Sequence, residues 1–249
     1  MLDESPNESE IPAKRWIRRL KHPGVFLTYD DGPNPAVTPQ LLDLLREFGA
    51  SATFFVTGES LDHPEAASLL KRMLAEGHTI GNHGQIHSKE HDPEFEISRL
   101  RIENACGLRT RIFRAPHGLK SYVAAYTQKD RRVLGVHWTN HFEDWLPLDF
   151  AKVAEQIPQA VVPGSILLLH DGAAASAKYK DRTHAPALTK MILTECRRRS
   201  IPLAGLSSVY PSLHQIRKRG PAQFSSIVAN FQKFKQRFIA LRDAYRRNV

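Results

Sequence analysis

The spacing of apolar residues changes at short intervals along this chain, and each change predicts an element. Residues 25–28 (Val25, Phe26, Leu27, Thr28) form a short apolar run that stops at two aspartates, a glycine and a proline. Over 37–48 leucines recur at helical spacing, and Gly49 follows as a suitable helix terminator. Residues 53–56 are β-branched and aromatic and predict a strand closed by Gly58. The same pattern predicts helices over 64–76, 94–105, 120–129, 149–157 and 186–198, and strands over 79–81, 111–114, 132–136, 166–169 and 201–203. Seven strands separated by helical segments imply α/β architecture with a parallel sheet, closed or nearly closed into a barrel at this length. No internal repeat interrupts the alternation.

The ends follow other patterns. Residues 1–13 are polar and punctuated by Pro6 and Pro12, so a partly disordered lead-in is expected over 1–20, ahead of a barrel over 21–213. The remainder, 214–249, is a basic extension. Within it Phe224, Ile227, Val228, Phe231, Phe234, Phe238, Leu241 and Tyr245 recur near every 3.5 residues, with Lys233, Lys235, Arg237, Arg242 and Arg246 between them. That predicts an amphipathic basic helix over 221–249, which can pack on the barrel, lie on an anionic membrane or bind a partner.

Composition refines this picture. With 41% hydrophobic residues the chain can bury a sizeable core. Its 35 Lys and Arg against 26 Asp and Glu leave a net charge of +9, which suits phospholipid headgroups or lipid-linked diphosphates. No nucleic-acid-binding motif accompanies the charge, and no nucleic-acid partner is expected. The two cysteines, Cys106 and Cys196, exclude a Cys-based zinc site and are expected as buried thiols of a reducing compartment. The first residues lack the apolar core of a signal peptide, and no apolar run is long enough to span a bilayer. A cytoplasmic protein, with peripheral membrane contact through 221–249, is the resulting expectation.

Candidate chemistry collects where the predicted strands end. Asp30 and Asp31 follow the first strand, His83 and His87 the third, and Arg114, Pro116, His117 and Gly118 the fourth. Asp144 and Trp145 follow the fifth, and His170 and Asp171 end the apolar run that contains Leu168. In a β/α barrel these ends share one face, where functional groups converge. Singly, each group has a plain alternative: an Asp-Gly-Pro turn, an incidental His pair, a rim histidine, a surface salt bridge. Together they answer one another. Vicinal carboxylates repel unless a cation neutralises them, and two histidines four residues apart complete a two-His, one-carboxylate set with open positions. Hydrolysis also needs a base and an acid; Asp30 and His170 fit, with Arg114 to orient Asp30 and Asp144 to favour the imidazolium.

These residues resemble the NodB-homology polysaccharide deacetylases, carbohydrate esterase family 4. Five motifs in order carry the resemblance over roughly 24–206: residues 28–33, 81–87, 114–118, 144–145 and 168–171. The resemblance implies a distorted seven-stranded (β/α) barrel, Asp30 as base, and Asp31, His83 and His87 as ligands of one divalent metal. Zinc is the default, with cobalt, nickel, manganese or iron as alternatives. It further implies Arg114 orienting the base, Asp144 tuning His170 as acid, and Pro116, His117, Gly118, Trp145 and Leu168 around the substrate. The implied activity is removal of an N-acetyl group from an N-acetylated saccharide. Deacylation of a lipid-linked sugar or small amide, and a catalytically silent sugar-binding module, are the alternatives. Three positions depart from the family pattern: Gly84 in place of Ser or Thr, His117 in place of an aromatic, and His141 in place of an Asp.

Overall fold

A computed structural model describes residues 16–87, 94–119 and 132–216. Its strands are β1 (Trp16–Ile17), β2 (Phe26–Asp30), β3 (Thr53–Val56), β4 (Thr79–Asn82), β5 (Leu108–Thr110), β6 (Ile112–Phe113), β7 (Leu134–Val136), β8 (Asn140–His141), β9 (Ile166–His170) and β10 (His214–Ile216). The helices are α1 (Thr38–Glu47), α2 (Ala66–Ala75), α3 (Glu94–Cys106), α4 (Phe150–Ala160) and α5 (Ala185–Arg198). Eight strands form one sheet in the order β1-β7-β6-β4-β3-β2-β9-β8, every neighbouring pair parallel, while β10 pairs with β5 separately.

This curled eight-stranded parallel sheet replaces the seven strands expected. The run over 201–203 contributes only one bridge, Leu203 to Val25. Pro202 has no N–H to give a ladder, and its carbonyl accepts the Val25 N–H instead. Two edge strands were not predicted. β1 pairs Trp16 with Gly135 and Ile17 with Val136, so the sheet begins before residue 21; β8 pairs Asn140 and His141 with Leu167 and Leu168. Each is two residues long, too short to show a period of two. The helix expected over 120–129 and the basic segment 221–249 lie outside the described residues. Both cysteines are free; Cys196 is buried and Cys106 half-buried.

Alternation along each strand sorts its residues between two cores. On β2, Leu27 and Tyr29 join the large cluster beneath the helices, with Leu41, Leu45, Leu188 and Ile192. Phe26 joins the inner cluster with Phe55, Ile112, Leu134 and Ile166. Every second residue above that floor is polar: Thr28, then Asp30. β9 repeats the scheme, with Leu167 and Leu169 outside and Ile166, Leu168 and His170 inside. The pleat therefore delivers Asp30 and His170, paired in register, to one end of an apolar column.

Candidate active site

Asp30 is almost fully buried, and its Oδ1 accepts a 2.8 Å hydrogen bond from an Arg114 Nη. The same Nη donates to Thr28 Oγ1 at 2.7 Å, while other guanidinium nitrogens donate to the carbonyls of Val136 and His137. Arg114 has no exposed surface and lies 4.3 Å from the Phe55 ring centroid. Burial pushes the Asp30 pKa up, although the charge of Arg114 opposes it. The result is an oriented carboxylate more basic than an exposed one.

Beside it, Asp31 turns the chain with φ +70°. Gly32 follows because a Cβ there would stand 2.1 Å from a carboxylate oxygen of Asp171. Asp171 is buried and accepts a hydrogen bond from Thr38 Oγ1 at 2.5 Å; burial, with smaller contributions from Asp31 and Asp30, holds its pKa up at about 7. Asp31 Oδ1 has no hydrogen-bond partner although buried, and lies 3.5 Å from His83 Nε2 and 3.7 Å from His87 Nε2. One ligand atom from each of Asp31, His83 and His87 lies within 4.8 Å of the others. His83 Nδ1 donates to the Arg114 carbonyl at 2.9 Å, which leaves its Nε2 lone pair on the Asp31 side. Burial holds the His83 pKa down at about 3, so the ring is a neutral donor at ordinary pH. An orphaned carboxylate oxygen facing two imidazole nitrogens fits a divalent cation.

The loop that carries these histidines is braced without a hydroxyl on residue 84 itself. Gly84 has φ +81°, its N–H donates to Asn82 Oδ1 at 2.9 Å, and its carbonyl accepts from Gly58 N–H at 2.8 Å. Left-handed backbone suits glycine, and the Asn82 side chain, whose Oδ1 also accepts from the Ser98 hydroxyl at 2.6 Å, supplies the bracing here.

On the neighbouring strand β9, His170 is engaged by both oxygens of Asp144: Oδ1 with Nδ1 at 2.9 Å, Oδ2 with the backbone N–H at 2.7 Å. Asp144 is fully buried, and its carbonyl accepts from His184 Nε2 at 2.8 Å. Burial alone would lower the His170 pKa, but Asp144 outweighs it and raises the value to about 9. The imidazolium is therefore the resting form at neutral pH, as an acid requires.

These groups open on one cavity of about 510 Å³, lined among others by Asp30, Asp31, His83, His87, Trp145, Leu168 and His170. His117 and Gly118 form part of the wall, while Pro116 is buried at the start of their short 3-10 turn. The His117 ring lies 4.4 Å from that of His87, and the Trp145 ring stands edge-on to His170 at 5.6 Å. The His141 ring lies tilted against that of Trp145 at 5.2 Å and is not among the lining residues. All twelve site residues expected from the sequence thus sit in or directly against one chamber. Sequence reasoning noted Asp171 without giving it a role, and it missed Thr28, Trp138, Lys178, Tyr179, Arg182 and His184. Thr28 was recoverable, since it lies two residues before Asp30 on the same face of the strand; the loop residues 178–184 carry no periodic signal.

A two-His, one-carboxylate cluster flanked by an oriented carboxylate and a charged histidine defines a hydrolase-type site on a curled parallel sheet. Known proteins agree. The sequence profile of the polysaccharide deacetylase family matches residues 18–136. A chitooligosaccharide deacetylase from Sinorhizobium fredii is 37% identical over 185 residues, covering 68% of this chain and 84% of that protein. A peptidoglycan-N-acetylglucosamine deacetylase from Bacillus cereus is 31% identical, covering 76% and 89% respectively. The solved peptidoglycan deacetylase PdaC from Bacillus subtilis superposes with a TM-score of 0.63 at 26% identity, over 77% of this chain and 92% of that one. The chain belongs to the NodB-homology polysaccharide deacetylases, carbohydrate esterase family 4.

Proposed function

We propose that this protein is a carbohydrate N-deacetylase that removes acetyl groups from N-acetylglucosamine units of a saccharide, with Asp31, His83 and His87 as its metal ligands. The supporting observation is the orphaned Asp31 Oδ1 between two imidazoles, on a cavity shared with the Asp30–Arg114 and Asp144–His170 pairs. A divalent cation held there would supply Lewis acidity and lower the pKa of water. Zinc is the cation we propose, since imidazole and carboxylate donors in an open set suit it.

The remaining steps belong to the chain's own residues. Asp30, oriented by Arg114, takes a proton from the attacking water as its oxygen bonds to the acyl carbon. His170 delivers a proton to the amide nitrogen as the C–N bond breaks, so acetate and a free amino sugar leave. Asp144 holds the imidazolium and stabilises its charge until that transfer. Leu168 and Trp145 exclude water from the acyl group, and the turn of Pro116, His117 and Gly118 positions the sugar.

Acetate release from N-acetylglucosamine oligomers by the full chain tests this reading. Asp30→Asn and His170→Ala should each lower kcat by about 100-fold or more, the range typical of general acid–base groups. Full activity in either variant would sink the mechanism. Chelation should abolish turnover, and elemental analysis of the protein identifies the metal. The basic sequence of 221–249 supports a further reading, contact with anionic lipid, since each membrane-proximal Lys or Arg adds about 1 kcal/mol. Flotation with acidic liposomes should then fall when 221–249 are removed.

A further inference from the structure

The cavity has two cations that the deacetylation chemistry leaves unused, Lys178 and Arg182. Both lie in the segment between β9 and α5, with Ala174, Ser176, Ala177 and Tyr179 forming the rest of that wall. The other cationic groups of the site are matched: Arg114 is paired with Asp30 and His170 with Asp144. Among the described residues neither Lys178 nor Arg182 forms an ion pair with a carboxylate. Arg182 is only 2% exposed, and its Nη1 donates to two carbonyls of its own loop, Tyr179 at 3.0 Å and Asp181 at 2.7 Å. Its Nε is buried without any partner. Holding a guanidinium in that state is costly unless an anion completes it. Lys178 stands exposed above the Tyr179 ring at 5.2 Å, and that ring is itself 40% exposed. The wall thus combines an aromatic face able to pack against a sugar with two cations that lack a direct carboxylate partner, although Asp144, Asp31 and Asp181 act on Arg182 at longer range.

The charged groups of the cavity floor, by contrast, are all taken up by the deacetylation chemistry, with Asp30 paired to Arg114 and Asp31 among the proposed ligands of the cation. Resting on the deacetylase reading above, we propose that Lys178 and Arg182 form a subsite for an anionic substituent, a carboxylate or a phosphate ester, on a sugar unit adjacent to the one deacetylated. Its recognition is by charge and hydrogen bonding to the Arg182 fork, with Tyr179 as the platform for the ring that bears the anion.

The test compares three N-acetylglucosamine oligomers of equal length with the full chain: one neutral, one bearing a lactyl carboxylate, one bearing a terminal phosphate. At low salt, kcat/KM for at least one anionic oligomer should exceed the neutral one by about tenfold, the scale of a charge-assisted hydrogen bond, and the ratio should shrink as salt rises. Preference in the carboxylate arm alone identifies an acidic sugar, in the phosphate arm alone a phosphorylated one. Lys178→Ala, at an exposed position, should lower the ratio by about threefold. Arg182→Gln should lower it by about tenfold, with partial recovery in Arg182→Lys. A ratio near one, or one unmoved by these substitutions, overturns the subsite, since a loop-bracing role would affect all three oligomers alike. Calorimetric binding of the same oligomers to the full-length Asp30→Asn protein separates the two claims. Absence of turnover in the unsubstituted chain would remove the deacetylase reading, while equal dissociation constants for neutral and anionic oligomers would remove the subsite.

Discussion

Asp144 holds His170 by both carboxylate oxygens, one on the ring and one on the backbone, so it sets the position and the charge of that imidazole together. His170 must be protonated to act as an acid, and its pKa of about 9 places loss of activity at alkaline pH. Asp144→Asn removes the charge that raises the value, and burial then lowers it. The alkaline limb of the kcat/KM profile should therefore move to lower pH by at least about one unit, with reduced activity at neutral pH. An unmoved limb would exclude His170 as its source. At the proposed metal ligands, Asp31→Asn should lower the metal content of the purified protein, which elemental analysis reads independently of turnover. Asp171 works by shape: its carboxylate occupies the space a Cβ on residue 32 would need. Gly32→Ala should accordingly disturb the Asp31 turn and cost both stability and metal content, measured by thermal unfolding and elemental analysis.

On the scale of elements, the governing device is the two-residue pleat. Phe26, Thr28 and Asp30 rise in one column on β2, and Ile166, Leu168 and His170 rise beside them on β9. Thr28 links the apolar floor to the site: its hydroxyl donates to the Leu167 carbonyl at 2.6 Å and accepts from Arg114. Thr28→Val keeps the shape but leaves a buried guanidinium N–H with one partner fewer, an expected loss of about 1–3 kcal/mol. Chemical denaturation measures that loss, and a fall in kcat with little change in KM would show that Arg114 no longer holds Asp30 well. The same pleat explains which parts of the fold were legible. Strands of four or five residues were legible as short apolar or β-branched runs, because they are buried on both faces. β1 and β8, with two residues each, are strands only because the neighbouring backbones supply partners.

On the scale of the molecule, two histidines far from the chemistry fasten the described chain together as neutral acceptors. His78 Nδ1 accepts the Ala52 N–H at 3.1 Å, and His214 Nε2 accepts the Ile80 N–H at 2.9 Å. Burial lowers both pKa values to about 4. The unfolded chain binds protons at these sites from its ordinary value of 6.5 downward, whereas the folded chain does so only near 4. Their contribution is therefore complete above pH 6.5 and is lost as pH falls toward 4, at most about 3 kcal/mol per residue. Denaturation midpoints should decline across that window, and His78→Gln, which keeps an acceptor but cannot titrate, should flatten the decline.

The sequence by itself determined the family, the order of most strands and helices, and the twelve candidate residues that the structure brings together at the cavity. Those depend on local order: a strand end sets which side chain comes next, and five motifs in order carry the resemblance. Only tertiary structure decided what those residues experience. Whether Asp144 or burial wins at His170, whether Gly84 needs a hydroxyl beside it, and which loop closes the cavity depend on chain segments far apart in sequence. Lys178 and Arg182 show the limit most clearly. Two cations in a polar loop look like surface charges until packing buries one and turns both toward the site.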